Sequence, residues 1–258
     1  MDIKEIMERR VSVRTFNPSI PVGEKEENIL RQKIEEVRSP FGGEFRIFLK
    51  RFELTGELRP GTYSVISGAS MYLLLAVKDN DRQAELAAGF AMEQVILKAT
   101  ELGLGTCWIA ATFKNSDFSE CLSLPEGYSL RVISPVGYKA EKKRLMERIT
   151  RTIAGSSKRK PMEKLFSMAD SGEPVPESNL FYTALQMVRL APSSVNSQPW
   201  RAEVSDNKVS FTCATDNSCS YFDMGIALCH FCLTINSEGI GGIFSLSENI
   251  FPIIFTIL

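Results

Sequence analysis

The sequence has little of several features that mark particular protein classes. It contains one histidine in 258 residues, and its 30 Lys and Arg against 31 Asp and Glu give a formal net charge of −1. A chain without a strong charge of either sign has no general attraction to nucleic acids or anionic membranes. It also has no apolar run of about eighteen residues, and it begins with alternating charges where a secretory signal would be apolar. We therefore expect a cytoplasmic globular protein with no nucleic-acid or membrane partner.

Cysteine and histidine give little indication of a metal site. The six cysteines include one close pair, in Cys229-His230-Phe231-Cys232, and it lies inside an apolar helical pattern. A zinc site would need further ligands from Cys213 and Cys219, whose spacing is loose for such a site. We expect no metal, buried thiols, and a structural role for the single histidine, His230.

Hydrophobic periodicity predicts a chain that contains both helices and strands. A Gly-, Ser- and Thr-rich segment at 52–70 is predicted to be a loop or a lid, and the basic segment 139–164 a solvated helix and linker. The apolar C-terminus, 251–258, is predicted to add a strand to a sheet edge. The predicted helices cover 2–10, 24–38 and 82–102, and the other predicted strands cover 45–49, 71–77, 106–111 and 128–138.

The second half of the chain repeats the first. Residues 89–108 align with 225–244 without a gap, and Pro40 has a counterpart in Pro192. This repeat predicts two intertwined halves, 1–157 and 158–258, that form a pseudo-dimer around one composite core. Such a chain is expected to be a monomer or a weak homo-oligomer. The alternative is a chance likeness between two helix–glycine–strand units.

The two copies differ in their polar motifs. Only the first contains Arg9-Arg10-Val11-Ser12-Val13-Arg14, and only the second contains Pro192-Ser193-Ser194-Val195-Asn196-Ser197-Gln198-Pro199-Trp200. A site that needs both motifs would be built once per chain, across the two halves. The opposite position would bring 158–161 near 40–43 and would lack most of the polar groups.

Each of these motifs also has a plain structural interpretation. Arginines suit the C-terminus of a solvated helix, and 191–200 is an acceptable polar loop between a helix and a strand. Gly103 and Gly105 suit a helix end as well as a close approach of the backbone to a ligand. Glu93 is either solvated or buried near the second-half loop, and the sequence leaves these alternatives open.

Four motifs in order resemble the nitroreductase family, in its single-chain fused branch. They are the arginine segment 9–16, Leu102–Trp108, 191–200, and the helix start at Asp223-Met224-Gly225-Ile226-Ala227. The resemblance implies an α+β fold with a largely antiparallel sheet flanked by helices. It also implies an FMN bound between the halves, with its phosphate held by the arginine segment and by a basic residue beyond Tyr138. The cofactor-binding residues it implies are Arg9, Arg10, Ser12, Arg14, Gly103, Leu104, Gly105, one of Lys142, Lys143 and Arg144, and Pro192, Ser193, Ser194, Asn196 and Gln198.

The same resemblance implies an FMN-dependent NAD(P)H oxidoreductase. Hydride would pass through the flavin N5 to a nitroaromatic, a quinone or a similar small acceptor, and no protein side chain is assigned a catalytic role. Gly103, Leu104 and Gly105 would lie beside N5. One alternative is a flavin reductase or dehalogenase-like enzyme with another dedicated substrate. The other is a flavin-binding module that does not turn over.

Overall fold

A computed structural model describes residues 1–53, 61–141 and 158–258. It contains α-helices and β-strands in mixed order, as the periodicity predicts, together with short 3-10 turns at Met162–Lys164 and Ser194–Asn196. The helices are α1 (Ile3–Arg9), α2 (Glu24–Glu36), α3 (Arg82–Glu101), α4 (Asn115–Ser119), α5 (Tyr182–Leu190) and α6 (Ser220–Ser237). The strands are β1 (Phe45–Arg51), β2 (Met71–Lys78), β3 (Gly105–Thr106), β4 (Tyr128–Gly137), β5 (Phe166–Met168), β6 (Trp200–Val204), β7 (Lys208–Cys213), β8 (Gly242–Ser247) and β9 (Ile250–Ile257).

The strands form two sheets with matching strand orders. The first sheet runs β1-β2-β4-β3 and the second runs β5-β6-β7-β9-β8. Every pairing is antiparallel except that of β5 with β6. The chain order β1-β2-α3-β3-β4, which has the short helix α4 inserted before β4, is repeated by β6-β7-α6-β8-β9. The predicted α+β class with a mainly antiparallel sheet arrangement is confirmed.

Two predicted strands differ from the observed ones. The strand expected at 106–111 is reduced to Gly105–Thr106, with one further bridge from Ile109 to Ile133. The C-terminal strand β9 lies inside its sheet, between β7 and β8, and so does not extend an edge. Its inward-facing Ile253 and Phe255 are buried, which accounts for the apolar pattern of this segment. The prediction of an edge strand was wrong.

The long helices α3 and α6 pack against each other through the aligned glycines of the repeat. A Cβ atom on Gly225 would overlap the carbonyl oxygen of Leu86, and one on Gly89 would overlap the carbonyl oxygen of Phe222. Only glycine lets the two backbones approach this closely. The positions that the sequence alignment equates therefore meet at one helix crossing.

Both helices also end in the same way. Gly103 and Gly239 have φ of 77° and 75°, in the left-handed region that favours glycine. The N–H of Leu104 donates to the Ala99 carbonyl at 2.9 Å, and the N–H of Ile240 donates to the Ile235 carbonyl at 3.1 Å.

Among the described residues, no helix is both long and apolar enough to cross a membrane.

The hydrophobic core contains side chains from both halves in the same clusters. Met7 of α1 and Phe90 of α3 pack in the cluster that contains Phe181 and Phe231 of the second half. Phe222 of α6 packs in the cluster built around β2 and α3. The two sequence repeats are therefore joined by shared apolar packing.

Candidate functional site

A cavity of about 480 Å³ lies between the segment that follows α1 and the turn that follows α5. Its wall combines residues from both halves of the chain and from the segment after β3. The predicted site residues that line it are Arg10, Ser12, Arg14, Pro192, Ser193, Ser194 and Asn196.

The first-half motif reaches the cavity because the chain becomes extended after α1. The helix ends at Arg9, and the N–H of Val13 then donates to the Thr106 carbonyl at 2.8 Å. In an extended chain, side chains at alternate positions share one face. Arg10, Ser12 and Arg14 all line the cavity, and Val11 between them also reaches its wall. Arg9 lies on the helix, is exposed, and contacts the Met1 sulfur at 3.3 Å, away from the cavity wall.

Two guanidinium nitrogens in this motif are buried without a hydrogen-bond partner among the described residues. They are Arg10 Nε and Arg14 Nη1. A buried, unsatisfied charged donor is costly, and proteins keep such groups mainly where a ligand or an ion completes them. The arrangement therefore suits an anionic group in the cavity.

The second-half loop is fixed to α6 by a carboxylate. Asp223, near the start of α6, accepts the N–H of Ser194 at 3.0 and 3.1 Å through its two oxygens. Burial raises the pKa of Asp223 to about 7, although its bonds from Ser194 and Ser197 act in the opposite direction. Val195 and Asn196 have positive φ, and the Val195 side chain is 82% exposed. The loop is thus a strained turn that leaves Val195 exposed while Ser193, Ser194 and Asn196 line the cavity.

Two amides of this loop hold the chain at 158–160. Gln198 is buried, and its Oε1 accepts the N–H of Lys160 at 2.8 Å. Asn196 Oδ1 accepts from Arg159 Nη1 at 2.9 Å, and its Nδ2 donates to the Lys158 carbonyl at 2.8 Å. Gln198 is not among the described residues on the cavity wall, so its predicted contact with a cofactor has no support from the cavity.

Arg159 lines the cavity and was missed by the sequence analysis. The repeat predicted 158–161 at the opposite position, near 40–43, and this prediction was wrong for Arg159, which bonds to Asn196 of the candidate site. Burial, followed by the charges of Arg10 and Arg189, lowers the pKa of Arg159 to about 10. Guanidinium groups from both halves therefore crowd one side of the cavity. The basic run at 139–164 carried no signal that singled out this residue.

The opposite position in the repeat is filled by aromatic side chains. Phe41 lies in an edge contact with Phe90 at 5.5 Å and with Phe244 at 5.2 Å between ring centroids. In the gapless alignment, Phe244 is the counterpart of Trp108, which lines the candidate cavity. Apolar packing thus replaces the polar wall on that side.

The predicted glycine segment does not reach the cavity. Gly103 ends α3, and Leu104 is buried in the core. A Cβ on Gly105 would lie 2.7 Å from a Val13 methyl carbon, so this glycine packs beneath the arginine segment. None of the three is among the described residues of the wall, which continues further along, at 107–112. Their placement beside flavin N5 has no support from this geometry.

Some predicted positions cannot be placed. Lys142, Lys143 and Arg144 lie outside the described residues, as do 54–60 of the predicted lid. Within the described parts of the chain, no group of three or more His, Cys, Asp and Glu could hold a metal ion.

Comparisons with known proteins agree with the fold. The chain aligns over its full length with 93% of a putative nitroreductase from Thermotoga maritima, at 20% identity and a TM-score of 0.64. A nitroreductase family protein from Clostridium difficile is 18% identical, with 64% of this chain and 96% of that chain covered and a TM-score of 0.48. A search of curated protein sequences gave no match. The family model described as "Putative TM nitroreductase" matches residues 2–235, and the chain therefore belongs to that nitroreductase family.

Proposed function

We propose that this chain is an FMN-dependent NAD(P)H oxidoreductase that reduces nitroaromatic, quinone or similar small acceptors. The observation that carries the proposal is the pair of buried guanidinium nitrogens, Arg10 Nε and Arg14 Nη1, on the wall of a cavity closed by the Ser193–Asn196 loop. Membership of the nitroreductase family supports the same reaction class.

The residues present suit FMN. A phosphate dianion is best held by forked guanidinium donors and a hydroxyl, which Arg10, Arg14 and Ser12 supply on one face. Arg159 adds a fourth group from the second half. The cavity volume of about 480 Å³ falls within the roughly 300–1,000 Å³ of small-molecule sites. We propose that one of Lys142, Lys143 and Arg144 also reaches the phosphate.

The protein's part in the reaction is to bind and to orient. FMN, when bound, would supply the chemistry, taking a hydride from NAD(P)H at N5 and passing electrons to the acceptor. Ser194 and Asn196 offer donors and acceptors to a polar ring edge or ribityl chain, and their loop is held by Asp223. Ala110 and Ala111 on the wall leave room for a flat ring.

We also propose that the halves 1–157 and 158–258 form an internal pseudo-dimer with one cofactor site. Support comes from the matching strand orders, from the Gly89–Gly225 crossing and from the aromatic filling around Phe41. Because the two halves of one chain would supply the dimer interface, the pseudo-dimer is compatible with a monomeric protein. The cytoplasmic location stays a prediction.

Anaerobic addition of NADH or NADPH to the FMN-loaded protein tests the activity. We expect the flavin absorbance to bleach, and then to recover when a nitrobenzoate or a benzoquinone is added. Bleaching without recovery by any acceptor would favour the flavin-binding module. A protein that stays colourless after incubation with FMN would contradict the proposal.

A further inference from the structure

A buried carboxylate and the only histidine of the chain lie between the two long helices. Glu93 on α3 and His230 on α6 have no exposed surface. Glu93 Oε1 lies 3.0 Å from His230 Nε2, and Glu93 Oε2 accepts from Trp108 Nε1 at 2.8 Å. Arg10 Nε lies 3.9 Å from Glu93 Oε1. The pair therefore connects the helix contact to Trp108 and Arg10, which both line the cavity.

Both ring nitrogens of His230 face oxygen atoms. Nδ1 lies 3.0 Å from the backbone carbonyl of Met187 on α5, which can only accept, so Nδ1 carries a hydrogen. A neutral imidazole has one N–H, and Nε2 would then point a lone pair at Glu93. If Glu93 were ionised, that contact would be repulsive. An additional proton held by the pair removes the repulsion.

The surroundings favour placing this proton on His230. Glu93 accepts a second hydrogen bond, from Trp108, and has the guanidinium of Arg10 nearby, and both interactions stabilise a carboxylate. The adjacent thiol of Cys229 is fully buried, and burial followed by the charge of Glu93 raises its pKa well above the ordinary value, so it stays neutral. The geometry is that of an imidazolium ion between two acceptors.

We propose that Glu93 and His230 form a buried carboxylate–imidazolium pair that holds the Trp108 indole and, because the imidazolium balances the carboxylate, leaves the charge of Arg10 available to a flavin phosphate. Without the imidazolium, the carboxylate of Glu93 would be balanced by Arg10 alone and would compete with the phosphate for its charge. This inference rests on the proposed FMN site. Glu93 and His230 are positioning residues, since neither is among the described residues of the cavity wall.

Within the aligned ranges, the polar set of Glu93, His230 and Trp108 occurs only on the side of the repeat that faces the cavity. In the gapless alignment, Cys229 is the counterpart of Glu93, Gln94 is that of His230, and Phe244 is that of Trp108. A pair needed merely to join the two helices could have been kept in both copies. Its presence beside the polar cavity and its replacement beside the aromatic filling agree with a role in ligand binding.

The charge state of His230 can be measured directly on the ligand-free protein. Because the chain has one histidine, long-range proton–nitrogen NMR spectra of the 15N-labelled protein contain one imidazole. At pH 7 we expect both ring nitrogens to show the shifts and couplings of N–H groups. A neutral tautomer with one unprotonated nitrogen would overturn the proposal, whether or not the protein binds FMN.

The effect on binding is tested with His230→Gln and with the double variant Glu93→Gln/His230→Gln. Gln at 230 can donate to Glu93 but carries no charge, so we expect FMN affinity to fall about tenfold because Glu93 then neutralises Arg10. The double variant removes both charges and should recover most of the affinity. Riboflavin, which lacks the phosphate, serves as the control ligand and should bind both variants much as it binds the parent protein.

The comparison of FMN with riboflavin distinguishes the proposal from a purely structural role of the Glu93–His230 pair. It also distinguishes failure of the proposal from failure of the proposed function. Equal loss of FMN and riboflavin binding in His230→Gln, with no recovery in the double variant, would overturn the role toward the phosphate. A parent protein that binds neither ligand would reject the FMN site, while the NMR result would still decide the charge of the pair. If His230→Gln does not fold, Glu93→Gln alone should keep the parent's FMN affinity, and a large loss would contradict the proposal.

Discussion

Replacing Arg10 and Arg14 together with alanine should lower FMN affinity by at least about a hundredfold. Each charge-assisted hydrogen bond to a phosphate contributes about 1.5–3 kcal/mol, so losing two costs roughly 3–6 kcal/mol. The ligand-free protein should not lose stability to the same degree, because neither Arg10 Nε nor Arg14 Nη1 has a hydrogen-bond partner among the described residues, and the ion pair of Arg10 Nε with Glu93 Oε1 is long, at 3.9 Å. Titration of flavin fluorescence measures the affinity.

Arg9→Ala is the matched control for this pair. Arg9 is adjacent in sequence but exposed, and its guanidinium contacts Met1 away from the cavity wall. We expect its FMN affinity to remain close to that of the parent. Riboflavin affinity should change little in the double variant, because the missing groups bind phosphate. Unchanged FMN affinity in the double variant, or an equal loss in Arg9→Ala, would reject the phosphate assignment.

Gly225→Val should destabilise the protein by at least about 3 kcal/mol, because the side chain has no space between α3 and α6. Its Cβ would overlap the Leu86 carbonyl oxygen and lie 2.7 Å from the Phe90 nitrogen, and both are backbone atoms of a buried helix. Neither can move away as a flexible side chain could. Urea unfolding, followed by circular dichroism, measures the change in the free energy of unfolding.

Gly241→Ala is the control for this substitution. No atom lies within 4 Å of a Cβ built at Gly241, and its φ is not in the left-handed region. Its effect should stay within about 0.5 kcal/mol, as for most surface substitutions. Equal unfolding midpoints for the Gly225 and Gly241 variants would mean that the helix crossing is looser than the structure shows.

Local sequence patterns predicted helices α1, α2 and α3 and strands β1, β2 and β4 within a few residues. The 82–102 pattern corresponds to α3 because Asp81 caps its start, accepting the Ala84 N–H at 2.8 Å, and Gly103 ends it. The repeat alignment went further, since Gly89 and Gly225 proved to be the contact points of α3 and α6. The helical period of the sequence and the alignment of its two repeats therefore indicate these features without knowledge of the structure.

Features that depend on long-range packing could not be predicted in the same way. A glycine at a helix end and a glycine beside a ligand have the same sequence signature, so Gly103 was assigned to the site while the cavity wall lies at 107–112. Arg159 comes near Arg10 through long-range contacts, among them its hydrogen bonds to Asn196 and to the Leu190 carbonyl. The contact of Glu93 with His230 joins residues 137 positions apart.

The measurement that tests the central claim most directly is the number of FMN molecules bound per chain. The protein is saturated with FMN, freed of excess ligand and denatured, and the released flavin is counted by its absorbance against the protein concentration. One FMN per chain is predicted, because Arg10, Arg14 and the Ser193–Asn196 loop form one composite site and Phe41 with Phe244 fills its counterpart. Two FMN per chain would show that the second copy still binds, and none would leave a nitroreductase fold without its cofactor.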